Sequence, residues 1–399
     1  MSQMSMSSIR TAGGALAAVL LTACADPTGS GPAAPAVHRA HADRQLPASI
    51  EWNAVARGLV AKNRSNVFVA FRTYALLGVA QLDALRAAER ASSNGDVVSR
   101  RAAIAGASAV ALSYVYPADG PVLEALVRQQ VESAEWLERH GVDAAAGESV
   151  GRAAGAAVVE RARTDRFFDP WTGTVPTGPG IWFSSTNPPT LPVGAALGNA
   201  RTWFLESGDQ FRPPPPPAFG SPEFVDALAE VRRFSDTRTA EQDSIAKFWA
   251  FPAGTYQPPG YWNEEASTLA LRYHLNERRA TRLLALLNMV AMDAIIASHD
   301  AKYAYWLIRP SQADPAITLS VGLPNFPSYP SNHATISGAM AEVLAAAFPS
   351  QADRLRAAAD EAALSRVYGG IHYRFDGTTG LALGRQIASY AIERQGLRD

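Results

Sequence analysis

Beyond residue 48, apolar residues recur mostly at three- and four-residue steps, the period of helices that bury one face. Within 49–163 the set Val67, Phe68, Phe71, Leu76, Leu77, Val79, Leu82 and Leu85 marks one such helix. Ile104, Ala107, Ala111 and Val115 mark another, and Pro117-Ala118-Asp119-Gly120 predicts the turn that ends it. An amphipathic helix is predicted over 122–140, stopped by Gly141. The stretch 147–163 is rich in Ala and Gly, and small residues of this kind predict close helix packing in an interior. Alternation of the strand type is absent. The fold class predicted is therefore all-α, helical bundles joined by long Pro/Gly-rich loops.

Between about 167 and 220 the pattern changes. Pro and Gly become frequent, with Trp171, Trp182 and Trp203 interspersed, and 213–217 is an unbroken proline run. Such a run is extended by geometry, so it either packs over the surface or offers itself to an SH3-like module; packing is the reading favoured here. Helical periodicity resumes over 221–235 and 239–249. It continues over 265–308, with a break expected near Asn276, and over 334–348. The predicted organisation is a signal segment 1–23, a tether 24–48 and a helical domain 49–399. That domain divides into an N-terminal half 49–166, a loop region 167–220 and a C-terminal half 221–399.

Composition changes this picture little. The chain has 399 residues, 47% of them hydrophobic, enough to bury a large core. Its 36 basic and 37 acidic residues nearly cancel, so global charge gives no reason to expect nucleic acid or an anionic membrane surface as a partner. The N-terminus is different. Arg10, the apolar run 15–21 and Leu21-Thr22-Ala23-Cys24 resemble a bacterial lipoprotein signal, cleaved before Cys24 and lipidated on that thiol. A plain secretory signal with an incidental cysteine is the alternative. Either reading implies export, and the first places the protein on the periplasmic or outer-membrane side of a bacterial membrane, held by its lipid alone. Cys24 is the only cysteine, which excludes intrachain disulfides and cysteine-based metal sites. No later segment reads as long and uncharged enough to cross a membrane.

The chemistry concentrates in three clusters between 302 and 376. The first is Lys302 with Arg309 and Pro310 in KYAYWLIRP. Spaced by two helical turns, the two cations are expected on one helix face, with Pro310 ending the helix; a pair of exposed basic residues is the alternative. The second is Pro330-Ser331-Asn332-His333 in FPSYPSNHAT. Ser331 is placed to cap the next helix, whose free N–H groups would face an anion with His333 beside them; an ordinary cap with an exposed His is the alternative. The third is Ser365-Arg366, His372 and Asp376 in SRVYGGIHYRFD. Gly369-Gly370 permits a tight turn, and Asp376 could fix the His372 tautomer; alone, His-x3-Asp is more often a surface pair than a catalytic one. Together the clusters supply three cations, a hydroxyl, two imidazoles and a carboxylate, an inventory suited to a tetrahedral oxyanion such as phosphate or vanadate.

The combined pattern, K-x6-R-P, P-S-x-H and S-R-x5-H-x3-D, resembles the superfamily that joins vanadium-dependent haloperoxidases to type 2 phosphatidic acid phosphatases. The resemblance implies the helical fold of the haloperoxidase/acid phosphatase type. It implies that Lys302, Arg309 and Arg366 neutralise equatorial oxygens, with Ser331 Oγ and the Asn332 N–H also donating. It assigns His372 as vanadium ligand or phosphate-accepting nucleophile, His333 as acid/base and Asp376 as the group orienting His372. The resemblance also implies that Phe326 is an aromatic beside the pocket. Two positions depart from the family. Asn332 stands where Gly is usual, which raises the prospect of a positive φ and of crowding. His299 stands where many relatives carry Trp, as a second acid/base, a halide-pocket residue or a neutral, satisfied histidine. The implied activity is haloperoxidase-like, halide oxidation by hydrogen peroxide with vanadate as cofactor. The alternatives are a vanadate-free phosphatase acting on phosphate esters through a phosphohistidine, and a catalytically silent surface-binding lipoprotein.

Overall fold

The computed structural model describes residues 46–92, 97–132 and 141–395. The signal segment, Cys24, most of the tether and the C-terminal part of the helix expected over 122–140 lie outside the described residues. Among the described residues the named elements are helices, apart from a two-residue parallel pairing of β1 (Val97–Val98) with β2 (Val142–Asp143).

The N-terminal helices are α1 (Ala48–Lys62), α2 (Val67–Ala91), α3 (Arg100–Val115), α4 (Gly120–Glu132) and α5 (Ala144–Arg163). After the Pro/Gly-rich stretch come α6 (Pro222–Thr237), α7 (Ala240–Phe248), α8 (Gln257–Arg272) and α9 (Glu277–Tyr305). A single turn, Pro310–Ala313, precedes α10 (Asn332–Ala347), α11 (Ala352–Tyr368) and α12 (Arg374–Gln395). Polar caps start several of them: Asn66 accepts from two N–H groups of α2, Ser99 caps α3, and Thr239 with Gln242 forms a capping box on α7. Asn276 caps α9 and marks the break between α8 and α9.

Residues Leu46–Asp399 form one compact unit, so the two helical halves are not separate bodies. The reason is α9. It packs against α2 on one side and α10 on the other. Its residues are buried almost continuously from Leu283 to His299. A helix apolar on all sides is stable in water only when surrounded by others. Both α2 and α9 are in fact long and apolar enough to cross a membrane, contrary to the expectation from sequence. Here they are interior helices, and the surface they would offer to lipid is covered by protein.

The stretch after α5 is ordered by polar anchors rather than by its own secondary structure. Asp293, buried in the middle of α9, accepts hydrogen bonds from the backbone N–H groups of Trp203, Phe204 and Leu205 at 2.8, 2.7 and 3.2 Å. Burial pushes its carboxyl up to about 6 even so. Arg72 pairs with Asp165 at 2.6 Å, both buried, and lies over the Phe167 ring. The proline run is held by the Tyr305 and Tyr329 hydroxyls, which donate to the Pro213 and Pro214 carbonyls, each at 2.6 Å. Pro213 is buried, Pro214 and Pro215 are exposed, and Pro216 and Pro217 are half-buried.

The Ala/Gly-rich α5 lies against α3 through Gly147, Gly151 and Gly155. A Cβ at 151 would stand 2.0 Å from the Ala103 carbonyl oxygen, so the two backbones must separate to admit one. Gly151→Val is therefore expected to destabilise the protein by about 3 kcal/mol through overpacking. Urea unfolding measures this; an unchanged midpoint would contradict the close approach.

Candidate active site

The site is assembled by four segments: the end of α9, the loop 306–331, the start of α10, and the junction of α11 with α12. α9 stops sooner than the sequence predicts. Trp306 takes a left-handed conformation, φ 50°, and its N–H closes on the Lys302 carbonyl. Arg309 is therefore not two turns along the same helix from Lys302. It is extended, as the residue before a proline prefers, and Pro310 begins a helical turn rather than ending a helix. The cations still meet, because the chain reverses after Trp306. Both lie over the Phe326 ring, Lys302 Nζ at 5.2 Å and the Arg309 guanidinium at 5.1 Å from its centroid.

Lys302 is fully buried, and Nζ donates to the carbonyls of Pro327, Ser328 and Pro330. Burial and the neighbouring Arg309 push its pKa well down. Three carbonyl acceptors nonetheless need three hydrogens, which only the ammonium supplies, so the charged form is the one this geometry holds. Its hydrogens are committed to shaping the 327–330 loop, whereas the sequence reading placed them on a ligand.

Arg309 is the better placed cation. Nε donates to the Phe326 carbonyl at 2.9 Å, while Nη1 donates to the Ile371 carbonyl at 2.7 Å and to His372 Nε2 at 3.1 Å. Nη2 is buried without a partner. Arg366, near the end of α11, is buried and donates to Ser365 Oγ and the Ala246 carbonyl. Desolvation lowers Arg309 to about 10 and Arg366 to about 9, which leaves both charged at neutral pH.

His372 lies in the turn between α11 and α12, entered through Gly370 at φ 78°. Its Nδ1 is 2.8 Å from Asp376 Oδ2, and a carboxylate oxygen can only accept here, so Nδ1 carries the proton and Nε2 the lone pair. Asp376, in the first turn of α12, also accepts from Ser328 Oγ at 2.6 Å and from the Tyr373 N–H at 3.1 Å. Ser328 was not singled out in the sequence, because nothing distinguishes it from the other loop serines. Burial raises Asp376 to about 6. Burial first, then Arg309 and Lys302, holds the His372 imidazole well below its ordinary range.

Ser331 caps α10, accepting from the Ala334 N–H at 3.5 Å. Asn332 and His333 are the first helical residues, so their N–H groups have no acceptor within the helix. Asn332 is helical, so a positive φ is not needed where it replaces Gly. His333 Nε2 lies 2.8 Å from the Trp249 carbonyl and so donates to it, leaving Nδ1 as the acceptor. Burial, then Arg366, keeps His333 neutral. The positive charges of Arg366, Arg309 and Lys302 act on both His333 and His372, which places the three sequence clusters in one electrostatic neighbourhood.

His299 is also buried. Nδ1 faces the Gly194 carbonyl at 3.0 Å and Nε2 accepts from Asn332 Nδ2 at 3.0 Å. Burial pushes its pKa down to about 3. Both of its ring nitrogens thus have hydrogen-bond partners. Its ring packs edge-on against Phe68 and Phe326, at 4.8 and 5.4 Å. Phe68 and Gly194 also line a cavity of about 390 Å³ with Phe167, Phe168, Trp171 and Leu191.

Residues 282–395 match the family model of the PAP2 superfamily, a span that holds all three clusters. Three solved structures share the fold of this chain. A bacterial vanadium-dependent iodoperoxidase superposes with a TM-score of 0.75 at 22% identity, over 87% of this chain and 96% of its own. The apo and holo forms of a bacterial vanadium-dependent chloroperoxidase give 0.63 and 0.60 at 15% and 14% identity, over 82% and 83% of this chain and 92% of theirs. No curated protein matches the chain. The family match falls on the part of the chain that carries the three clusters, and the likeness to the solved structures is one of fold.

The donor set fits such an anion. Three buried cations, a buried guanidinium N–H without a partner and a helix N-terminus are the groups that a tetrahedral oxyanion needs. Among the described residues no group of three His, Cys, Asp or Glu side chains offers a cation site.

If Asp376 and burial hold His372 as described, its imidazole stays neutral, with the proton on Nδ1, from about pH 6 to 8, where Asp376 is ionised and an ordinary histidine titrates. Nitrogen-15 correlation spectra of histidine-labelled protein check this. A His372 that becomes doubly protonated near pH 6.5 would contradict it.

Proposed function

We propose that this protein is a vanadium-dependent haloperoxidase-like enzyme, which oxidises halide with hydrogen peroxide to hypohalous acid and water, consuming one proton. The observation that carries the reading is the charge imbalance in the site. Lys302, Arg309 and Arg366 are buried, one carboxylate, Asp376, acts on the first two, and Arg309 Nη2 has no acceptor. Buried charge of one sign is costly unless it is neutralised, and an oxyanion neutralises it.

Arg309 Nη2, Arg366 and the N–H groups of Asn332 and His333 would hold vanadate, with Lys302 fixing the loop that shapes the cup. His372 Nε2, its lone pair directed by the Nδ1–Asp376 bond, would be the ligand to the central atom. When bound, vanadate supplies the Lewis-acidic centre at which hydrogen peroxide is activated toward halide. His333, neutral and anchored by Nε2 on Trp249, has Nδ1 available to take and return a proton. What favours this branch is extent: the family model spans 282–395, whereas the likeness to haloperoxidase structures covers 82–87% of the chain, including the N-terminal helices.

A second reading is supported by the family match itself. As a phosphatase, His372 Nε2 would attack the phosphorus of an ester monoanion, His333 Nδ1 would take the ester's own proton and pass it to the leaving oxygen, and water would then hydrolyse the phosphohistidine. For either branch, we place the mature protein on the bacterial membrane through a lipid on Cys24; radiolabelled palmitate incorporation that survives Cys24→Ala would overturn this.

Purified protein without residues 1–23 is incubated with vanadate, hydrogen peroxide and iodide, bromide or chloride, and halogenation of a dye is followed. Hydrolysis of a chromogenic phosphate ester is followed in parallel without vanadate. Vanadate-dependent halogenation is expected. Vanadate-inhibited hydrolysis would transfer the site to the phosphatase branch, and neither activity would leave a silent binding protein. His372→Ala is expected to lower the activity found by at least about 10³-fold; retained activity would remove the mechanism.

A further inference from the structure

The two positions at which the chain departs from its family touch each other. Asn332 is the first residue of α10, so its N–H is one of the free donors at the mouth of the cup. A carboxamide at that position can bend over the helix end or reach the cations, in competition with an anion. In this structure it does neither. Asn332 Oδ1 accepts from Ser298 Oγ at 2.6 Å, and Nδ2 donates to His299 Nε2 at 3.0 Å. All three side chains are buried.

The direction of these bonds is fixed from outside the cup. The Gly194 carbonyl can only accept, so the proton of neutral His299 lies on Nδ1. That leaves Nε2 as an acceptor and turns the amino side of the Asn332 carboxamide toward it. The Ser298 hydroxyl then faces Oδ1. Gly194 fits the imidazole closely: a Cβ there would stand 2.8 Å from His299 Cε1 and Nδ1, and φ is 74°, a conformation that favours glycine. The His299 ring is held on its other sides by Phe68 and Phe326.

We infer that His299 is a positioning residue, which draws the Asn332 carboxamide back against α9 so that the backbone N–H at the start of α10 is left to the oxyanion. His299 touches neither the oxyanion nor a reacting atom in this account; it acts through Asn332. The inference rests on the oxyanion-binding reading of the site given above.

The test is a double-mutant cycle read by calorimetric titration of orthovanadate, and separately of inorganic phosphate, into the mature protein. His299→Phe keeps a ring against Phe68 and Phe326 but removes the acceptor. It is expected to weaken orthovanadate binding about ten-fold or more, the effect of a displaced hydrogen-bonding group. Asn332→Gly keeps the backbone N–H and leaves no carboxamide to restrain, so its affinity is the reference for the double variant. The double variant should bind like Asn332→Gly alone. A double variant as weak as His299→Phe would overturn the inference, because the loss would then come from packing. So would a His299→Phe variant with unchanged affinity. His299→Gln covers the case in which His299→Phe does not fold: a glutamine can accept from Asn332 and donate to Gly194, so binding should stay within about three-fold, and a ten-fold loss would equally overturn the inference. Absence of orthovanadate and phosphate binding by the parent protein would instead overturn the oxyanion reading itself.

Discussion

Taking three positive side chains out of water into one interior region is the constraint on which this structure turns. Lys302, Arg309 and Arg366 are all buried, and Asp376 is the carboxylate whose charge acts on the first two. The protein offsets part of the desolvation with carbonyls: three for Lys302, two for Arg309 and one for Arg366. Neutral carbonyls satisfy N–H groups without cancelling charge. The remaining imbalance lowers the histidines beside it and leaves the site strongly attractive to an anion.

The rest of the fold can be understood as the frame that holds this arrangement. α9 carries Ser298, His299 and Lys302 on a helix too deeply packed to move independently. The stretch between α5 and α6 has little secondary structure, yet it supplies Gly194 to His299 and is tied to α9 through Asp293. α7 contributes only backbone to the site, the Ala246 carbonyl to Arg366, with the Trp249 carbonyl just beyond its end receiving His333. Carbonyls are blind to side-chain identity, so these contacts depend on where the backbone runs.

That distinction explains what could be read from the chain beforehand. Helical periodicity showed α2, α3 and α9 because their buried faces are long, and the break at Asn276 because a cap residue stands there. The clusters at 302–309, 331–333 and 366–376 were legible because their chemistry resides in side chains. The path of the chain after Trp306 was not legible: a left-handed cap on a bulky tryptophan is set by tertiary packing, and it moved Arg309 off the helix. Ser328 was hidden among similar serines, and the bond between Asn332 and His299 joins residues 33 apart in sequence. Periodicity does not report that kind of pairing.

The central claim is that the three clusters form one cup for an oxyanion, with His372 Nε2 at its edge. A crystal structure of the mature protein grown with orthovanadate tests it most directly. The account predicts one strong density peak within bonding distance of His372 Nε2 and within hydrogen-bonding reach of Arg309 Nη2. An anion bound elsewhere, or a cup that holds only water at millimolar orthovanadate, would contradict it.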